Sequence, residues 1–416
     1  MIRVLFLSSL GLVLLLPWLL LHVRAGVEAG IDLVAVGFLV RCALVRDWLW
    51  LRQGWVVLGA AWWLWLVVCT AAAGGPVVQA VAVVRFLVFV AALERWVFAE
   101  AGARLWFVRS LGAATLYVVA QVLLQFGTGY NLFGVPRSPD GELTGPFMKP
   151  RAAPTLVRML FPVLLPAAGA LLARSGWVAR VGGVSLCVGG VLVLVLVGQR
   201  MPVLLAVLGL VVAAVLLPRL RGPAVVALVA GGALIGASAV VSPPTFYRLV
   251  TKFSHQVGDF ADSPYGLIAE RAVAIGEQHP WFGRGYDGFK TGCADPRYFQ
   301  GWHWPGTAAT GDGGGAEMCV THPHNHYLQA LTDGGVPGLV LFCGLVGVWL
   351  AQLARGLWRD PEPLRVGLFV AALIQEWPVA STSPLVSLPI GGWFFLLLGL
   401  GLALAPRLVT ATRDGA

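Results

Sequence analysis

Charged residues are scarce in this chain. Asp, Glu, Lys and Arg together make up 12% of its 416 residues, whereas hydrophobic residues make up 58%. A soluble globular domain carries about 25% charged residues, so this composition excludes a soluble fold and indicates a protein embedded in lipid. The sequence also lacks an obvious internal repeat and a low-complexity segment.

Segments that alternate between apolar and polar residues are missing as well, which argues against membrane-spanning strands. The apolar runs are continuous, rich in Leu, Val and Ala, and close to the length of about 20 residues that crosses a bilayer as a helix. The first run is longer than the apolar core of a signal peptide, so we expect it to remain as an anchor. We predict an all-α integral membrane protein with about twelve spans, at 4–22, 28–45, 55–73, 76–94, 107–125, 155–173, 181–198, 202–218, 223–241, 326–354, 366–381 and 385–405.

The arginines in the short loops divide between the two faces of the predicted membrane. Alternate loops and both termini carry most of them, which marks that side as cytoplasmic. The external side then holds a shorter loop at about 126–154 and a large loop between spans nine and ten. The chain is therefore expected to divide into nine spans in residues 1–241, a large loop in 242–325, and three spans with a cytoplasmic C-terminus in 326–416.

Lysine is almost absent, and its few positions are informative. All three lysines lie on the external side, where topology does not require them, together with several arginines: Lys149, Arg151, Arg200, Arg248, Lys252, Arg271, Arg284 and Lys290. Fixed cations suit an anionic ligand at the outer membrane surface. Nucleic acid is excluded as a partner because no nucleic-acid-binding module is present.

Two helices are predicted in the large loop. The segment "PPTFYRLVTKFSHQVGDF", residues 243–260, places apolar residues at helical spacing with cations between them, which is typical of an interfacial helix. A second helix is expected from Pro264 to about Gln278, with Asp262 or Ser263 as its cap and a His-Pro pair at its end.

The six cysteines divide into two groups. Four lie in apolar spans and are expected to be small core residues. Cys293 and Cys319 both lie in the large loop, and we expect them to form a disulfide in an oxidising compartment, with two free thiols as the alternative.

Three histidines occur within five residues at the end of the large loop, in "THPHNHYLQALTDGGVPG". Pro323 keeps His322 out of helical geometry, so a helix is expected to begin near His324 or Asn325, with Thr321 or Asn325 as its cap. The "GGVPG" sequence should break or kink that helix. His324 would then lie at a helix N-terminus, where the dipole favours a neutral imidazole that can accept a proton.

The segment "HPHNHYLQALTDGGVPGL" resembles the His-Asn signature of bacterial O-antigen ligases, whose superfamily includes O-antigen polymerases and some O-linked oligosaccharyltransferases. "ERAVAIGEQHPWFGRGYDGF" resembles the arginine-bearing helix and Pro-aromatic-Gly-x-Gly turn of that family, and "VGQRMP" is similar to the place where the family has another arginine. The Ser and Gly residues usual around that arginine are fewer here. The resemblance implies a multi-pass protein of the Gram-negative inner membrane, with the large loop and the active site on the periplasmic side.

The same resemblance implies transfer of a glycan from undecaprenyl-pyrophosphate to a hydroxyl of lipid A–core. Histidine suits a general base near neutral pH, and the guanidinium group matches a phosphate leaving group. Sugar transfer by one displacement inverts the anomeric centre, and no carboxylate nucleophile, metal or cofactor is expected. The expected catalytic residues are His324, Arg271 and Arg200, and the expected substrate-binding residues are Arg248, Lys149, Arg151, Asn325 and His326.

These histidine and arginine assignments have competitors. His322 or His326 can be the base instead of His324, or the three can bind zinc, although Pro323 spoils a regular i, i+4 pair. Arg200 can extend to the membrane interface without a catalytic role. The catalytic interpretation requires that the base and the arginines face one cavity that is open to both lipid and water.

Two arginines leave further alternatives open. Arg271 can form an external salt bridge with Glu270 or Glu277. Arg85 lies near the middle of a predicted span, where an ionised side chain is costly and faces a partner or a cavity. Its expected partner is Glu376 in a structural buried pair, with a role in a pathway as the second interpretation.

Two other functions fit part of the pattern. A polymerase that lengthens a lipid-linked glycan would use the same fold and donor chemistry. A transporter of lipid-linked glycan would belong to a different class, and transporters often place ionisable groups near the midplane in two matching halves. Here the polar residues concentrate in one external loop and the adjacent helix ends, which favours chemistry at the membrane surface.

Overall fold

The computed structural model describes residues 1–302 and 314–406. Residues 303–313, which belong to the Gly-rich part of the large loop, and residues 407–416, the end of the predicted cytoplasmic C-terminus, lie outside the described residues. The α-helices are α1 (Ile2–His22), α2 (Arg24–Val45), α3 (Gly54–Ala72), α4 (Val77–Ala82), α5 (Val84–Arg95), α6 (Ala101–Thr128), α7 (Ala152–Leu172), α8 (Trp177–Val197), α9 (Arg200–Leu216), α10 (Arg221–Val241), α11 (Pro243–Phe246), α12 (Lys252–Gly258), α13 (Pro264–Gln278), α14 (Gly288–Gly292), α15 (His326–Ala354), α16 (Pro363–Gln375) and α17 (Leu388–Leu404).

A helix lies at each of the twelve predicted spans. Eight helical segments in the described part of the chain are long and apolar enough to cross a membrane. The other four predicted spans coincide with α2, which carries charged side chains, and with the shorter apolar helices α9, α16 and α17. The class of an α-helical, multi-pass membrane protein is therefore confirmed.

The long helices share one apolar core. Helix α7 packs against α8 and α16, α3 packs against α15, and α5 packs against α17 and α2. Large aromatic side chains fill the space between them, among them Trp55, Phe89, Trp349 and Trp393. Dispersion contacts of this kind hold helices together in lipid, where apolar burial alone does not distinguish a neighbouring helix from a lipid tail.

The eleventh predicted span is shorter than expected. We predicted a helix over 366–381, but α16 ends at Gln375, and residues 376–387 form a non-helical segment, here called the extended break. Pro378 and Pro384 explain it, because proline has no N–H donor and disfavours helical geometry in the preceding residue. Non-helical backbone at membrane depth requires protein partners for its polar groups.

The large loop begins with the two helical segments that the sequence predicts. The first consists of α11, a π-helical turn over Tyr247–Thr251, and α12. The second is α13, in which the Ser263 hydroxyl accepts a hydrogen bond from the Gly266 N–H at 3.1 Å and Pro264 occupies the first turn. The predicted cap and the predicted end at Gln278 are both confirmed.

The turn after α13 docks onto a kink in α15. Gly335 has φ 64° and ψ −164°, so the helix breaks within the "GGVPG" sequence, as predicted. Backbone hydrogen bonds fix the contact: Val336 N–H donates to Pro280 O at 2.7 Å, and Arg284 N–H donates to Thr332 O at 2.8 Å. A Cβ on Gly335 would lie 2.5 Å from Pro280 O, so glycine is required there. The two segments that carry the family resemblance therefore contact each other directly.

Arg85 has a different partner from the one predicted. Its Nη1 lies 3.3 Å from Oδ2 of Asp32 on α2, the helix that packs beside α5. Glu376 instead lies beside His326. The predicted pairing with Glu376 was wrong because that residue follows the C-terminal end of α16, whereas α5 packs against α2 and α17.

Candidate functional site

A cavity of about 730 Å³ lies where α9, the large loop and the extended break meet. It brings together Arg200 from the start of α9, Tyr265 from the loop helix α13, His324 and Asn325 from the segment before α15, and Trp377 from the extended break. Two of the three predicted catalytic residues, His324 and Arg200, therefore share one cavity.

The part of the cavity wall that α9 contributes is charged at one end and apolar along the rest. Arg200 is the first residue of α9, and the residues that follow it on the same face are Met201, Leu204, Leu205 and Leu208. These positions lie on one side of a helix, and eight residues span about 12 Å at 1.5 Å per residue. The cavity therefore has a charged end near the loop and an apolar extension along a membrane helix.

His324 lies at the polar end of the cavity in an unusual backbone conformation. Its φ is 54°, and its carbonyl oxygen accepts a hydrogen bond from Thr382 N–H at 2.8 Å. A left-handed conformation in a residue other than glycine costs about 1–3 kcal/mol and is held by its surroundings. The side-chain ring lies 5.7 Å from the Tyr265 ring and 4.3 Å from the His322 ring, measured between centroids.

The imidazole of His324 is a suitable proton acceptor for a reason other than the one predicted. Helix α15 begins at His326, two residues later than His324, so His324 lies just outside the helix. Burial, which disfavours the charged form, lowers the pKa of His324 below its usual value. The ring is therefore neutral near pH 7.

Arg200 retains hydrogen-bonding capacity at the cavity. Its Nη1 is buried and has no hydrogen-bond partner within residues 1–302 and 314–406. The guanidinium carbon lies 5.9 Å from the centre of the Tyr265 ring, in a cation–π contact. His324 contacts the same ring, so Tyr265 contacts both the expected base and the expected cation.

Sequence reasoning missed Tyr265, although helical spacing contained a signal. Tyr265, Ala269 and Val273 all line the cavity, and they occur at i, i+4 and i+8 on α13. Residues at this spacing share one face of a helix. An aromatic residue at the head of that face is therefore a site candidate.

Arg271 does not face the cavity, in contrast to the expectation. Its side chain is fully buried, with 0% exposure. Nη1 donates to the carbonyl oxygens of Cys293 at 3.1 Å and Gly315 at 2.7 Å, and the guanidinium lies 4.1 Å from the centre of the Phe299 ring. Arg271 follows the cavity-lining residue Ala269 by two positions, which is a rotation of about 200° around the helix. Its side chain therefore points into the loop.

The interior of the loop around Arg271 contains the disulfide. Cys293 and Cys319 are bonded, and the sulfur of Cys319 lies 3.6 Å from Nη1 of Arg271. Ile268 and Ile275 belong to the small apolar cluster that surrounds them. Arg271, the disulfide and this cluster together form the core of the loop.

Asn325 and His326 serve the architecture of the site. Asn325 is the N-cap of α15, as one of the predicted alternatives stated: its Oδ1 accepts from Tyr327 N–H at 2.9 Å. The Asn325 side-chain amide donates to Pro378 O at 2.7 Å. His326 is buried, and its two ring nitrogens each lie 2.9 Å from an oxygen, Nδ1 from Oε2 of Glu376 and Nε2 from the carbonyl of Ser383. The structure therefore does not offer a free ring nitrogen of His326 to a ligand.

Arg248, predicted to bind substrate, is engaged with the shorter external loop. It forms an ion pair with Glu142. Burial lowers the pKa of Arg248 from its ordinary value, although a guanidinium remains charged near neutral pH. This ion pair connects the shorter loop at about 126–154 to the large loop, and Arg248 is not part of the cavity lining.

Lys149 and Arg151 are exposed and lie on either side of Pro150. The Pro150 carbonyl accepts a hydrogen bond from the Gln199 side chain at 3.0 Å, and Gln199 immediately precedes Arg200. The two cations therefore lie near the N-terminal end of α9, outside the lining of the cavity.

The three clustered histidines face different surroundings. His322 contacts His324, and its Nδ1 lies 2.9 Å from the Thr321 hydroxyl. Burial, followed by the neighbouring histidines, lowers the pKa of His322 to about 4. His326 turns toward Glu376 instead. Within the part of the chain that the structure describes, no group of three or more His, Cys, Asp or Glu residues is arranged to hold a metal ion.

A second buried polar contact lies at the end of α16 and was also missed. Arg158 of α7 donates from Nε to Oε1 of Gln375 at 2.8 Å and from Nη1 to the carbonyl of Pro154. An ionisable residue within an apolar span was the available signal. This contact holds the end of α16 immediately before the extended break.

Residues 185–343 match the model of the O-antigen ligase family. The matched segment begins in α8 and contains α9 with Arg200, the large loop and the histidine segment. The predicted resemblance to this family is confirmed over these residues. No curated protein and no solved structure matches the chain.

Proposed function

We propose that this protein is an O-antigen ligase, which transfers a glycan from undecaprenyl-pyrophosphate to a hydroxyl of lipid A–core. The observation that carries the proposal is the cavity, which combines a neutral histidine and an arginine with a spare donor at one end and an apolar wall along α9 at the other. A lipid-linked pyrophosphate has two parts that match these: an anionic head group and an apolar tail. The family match supports the superfamily that this reaction belongs to.

The proposed reaction is a single displacement. The acceptor hydroxyl gives its proton to a ring nitrogen of His324 while its oxygen forms a bond to the anomeric carbon of the donor sugar. The bond between that carbon and the pyrophosphate oxygen breaks, and its electron pair leaves with the carrier. Attack opposite to the leaving group inverts the anomeric centre, and the chemistry requires neither a metal nor a carboxylate nucleophile.

Arg200 is the proposed partner of the leaving group. Negative charge increases on the pyrophosphate as the bond breaks, and a fixed guanidinium donor in a site with little water stabilises that charge. Tyr265, which contacts both Arg200 and His324, keeps the two groups at a constant separation. Lys149 and Arg151 are proposed to attract the anionic head group toward the external end of α9.

Arg271 has a different proposed role from Arg200. Its contacts with the carbonyls of Cys293 and Gly315 stabilise the interior of the loop. Because the opposite face of α13 carries Tyr265, Arg271 acts on catalysis by holding that helix in place. Arg248 is proposed to hold the two external loops together through Glu142.

The proposed location follows from the distribution of charge and from the disulfide. Twelve spans would place both termini in the cytoplasm and both long loops in the periplasm of a Gram-negative inner membrane. The bond between Cys293 and Cys319 supports an oxidising compartment for the large loop.

Reconstitution tests the proposal. Protein in lipid nanodiscs receives an undecaprenyl-pyrophosphate-linked glycan and either lipid A–core or a second lipid-linked glycan, with and without a chelator. We expect the lipopolysaccharide to gain mass in the first mixture, with no effect of the chelator. His255→Ala, which alters an exposed histidine of α12, is the matched control for His324→Ala.

Each other outcome identifies a different error. A longer carrier-bound glycan in the second mixture would indicate a polymerase. Loss of product with the chelator would indicate a metal. In a parallel assay in proteoliposomes, movement of the lipid-linked glycan across the bilayer without any new glycosidic bond would indicate a transporter.

A further inference from the structure

The segment that contains His324 also holds the part of the cavity wall that the extended break forms. Four successive residues contact the extended break: His324 O accepts from Thr382 N–H, Asn325 donates to Pro378 O, His326 contacts Glu376 and Ser383, and the Tyr327 hydroxyl donates to Glu376 O at 2.6 Å. Non-helical backbone at membrane depth needs protein partners for its polar groups, and these four residues supply several of them.

The His326 side chain closes the extended break into a loop. Its Nδ1 contacts the carboxylate of Glu376 and its Nε2 contacts the carbonyl of Ser383, both at 2.9 Å. Every residue of the extended break that lines the cavity, from Trp377 to Ser381, lies between these two anchors. One imidazole therefore fixes both ends of this wall.

The acceptor and donor roles of the surrounding atoms define which hydrogens the His326–Glu376 pair must carry. A carbonyl oxygen only accepts, so Nε2 of His326 must carry a hydrogen. Nδ1 then either donates to an ionised Glu376 or accepts from a protonated one, and in both cases the pair shares a single further proton. Because the side chains of His326 and Glu376 are 2% and 1% exposed, water does not replace either partner.

We propose that His326 and Glu376 are positioning residues, which set the distance between His324 and the Trp377–Ser381 wall. The inference rests on the proposed function, since the group that they position is the proposed base. Misplacement of a reacting group by about 1 Å can cost about a hundredfold in rate, so this pair controls the turnover number without contacting substrate.

Two conservative variants of Glu376 separate the effect of side-chain length from the effect of charge. Glu376→Gln keeps the length of the side chain, and its amide can donate to Nδ1 of a neutral His326 whose Nε2 still donates to Ser383. Glu376→Asp keeps the charge but shortens the side chain by one methylene, which breaks the 2.9 Å contact. We expect Glu376→Gln to keep at least a third of the wild-type kcat and Glu376→Asp to lose at least tenfold, with the donor KM changed less than threefold in both.

Hydrogen–deuterium exchange gives a second readout that does not depend on transfer. We expect peptides that cover residues 376–387 to exchange at least tenfold faster in Glu376→Asp and at the wild-type rate in Glu376→Gln. Asp32→Asn, which removes the carboxylate facing Arg85 on α2 and α5, is the matched control and should leave both readouts unchanged.

The outcomes are distinct from those that test the function itself. If wild-type protein transfers no glycan, the proposed function fails, while exchange still decides whether the pair holds the extended break. If Glu376→Asp kept activity and Glu376→Gln lost it, the charge of the side chain would matter rather than its length, and the inference would be overturned. Equal behaviour of the two variants in exchange would overturn it as well.

Discussion

The core of the large loop and the polar end of the cavity use arginine in opposite ways. Arg271 is fully buried, and its Nη1 donates to carbonyl oxygens beside the disulfide. Arg200 lies only partly buried on the cavity wall and keeps a donor without a partner in the described part of the chain. A guanidinium that is buried and bonded to carbonyl oxygens of its own loop stabilises structure, whereas one with a spare donor beside a cavity is available to an anion. The same distinction separates His326 from His324.

The largest expected effect concerns His324, compared with its neighbour His322. His324→Ala should lower the rate of transfer by about 10²–10⁴, the usual contribution of a general base, in protein that is still folded. His322→Ala should retain most of the rate. Product formation under saturating donor measures both, and the opposite order of damage would show that His322 is the base.

Arginine substitution tests the comparison directly. Arg200→Gln should lower kcat by about 10²–10³, the range found when a donor to developing charge is removed, and should leave the resistance of the large loop to proteolysis unchanged. Arg271→Gln should instead accelerate cleavage within the loop, because buried carbonyls lose a charged donor, a loss of about 1.5–3 kcal/mol per hydrogen bond.

The contrast between Arg200 and Arg271 fails if Arg200→Gln and Arg271→Gln have the same effects on kcat and on proteolysis. A folded, protease-resistant Arg271→Gln protein with a lowered kcat would place Arg271 at the leaving group after all. Arg200→Lys is a useful control, since it keeps the charge but not the planar pair of donors, and it should lie between wild type and Arg200→Gln in rate.

The disulfide provides the next smaller effect. Cys293 and Cys319 are 26 residues apart, and a cross-link over a loop of this size stabilises by about 3 kcal/mol. Replacement of both by serine should raise the rate of proteolysis between α13 and α15 and lower the temperature at which transfer is lost. At low temperature the kcat should remain close to wild type, because neither sulfur lines the cavity. An unchanged thermal limit would contradict a stabilising role.

The pH dependence is the smallest effect and sharpens the assignment of the base. Burial lowers the pKa of His324, and only the neutral ring accepts a proton. The rate should therefore be constant above the ordinary histidine pKa of about 6.5 and should fall with decreasing pH only below that value. A profile of kcat/KM between pH 4 and 8 measures it. A midpoint above 7 would exclude His324 in this environment.

Much of the fold follows from composition because a bilayer permits little else. Continuous apolar runs place a helix at each predicted span, and the cap, end and kink of α13 and α15 follow from Ser263, His279 and the "GGVPG" sequence. The extended break was missed because residues 376–381 are apolar enough to continue a span. Hydropathy does not register that Pro378 and Pro384 remove backbone donors.

The sequence predicts which residue types form the site, but not which way each side chain points. Arg271 was expected in the cavity because the family resemblance includes an arginine-bearing helix and a guanidinium group suits a pyrophosphate. Its spacing from Ile268 and Ile275, which share the apolar face of α13, was the evidence against this. Tyr265 was missed because its role depends on contacts with Arg200 and His324, which are distant in sequence.

The contact between the turn after α13 and the kink of α15 limits how this protein can be engineered. It is made by backbone atoms at Gly335, Val336 and Pro280, so it tolerates changes of side chain but not changes of chain length or of Gly335. A chimera that carries another external loop will assemble only if the exchanged piece includes the turn and the kinked half of α15 as one cassette.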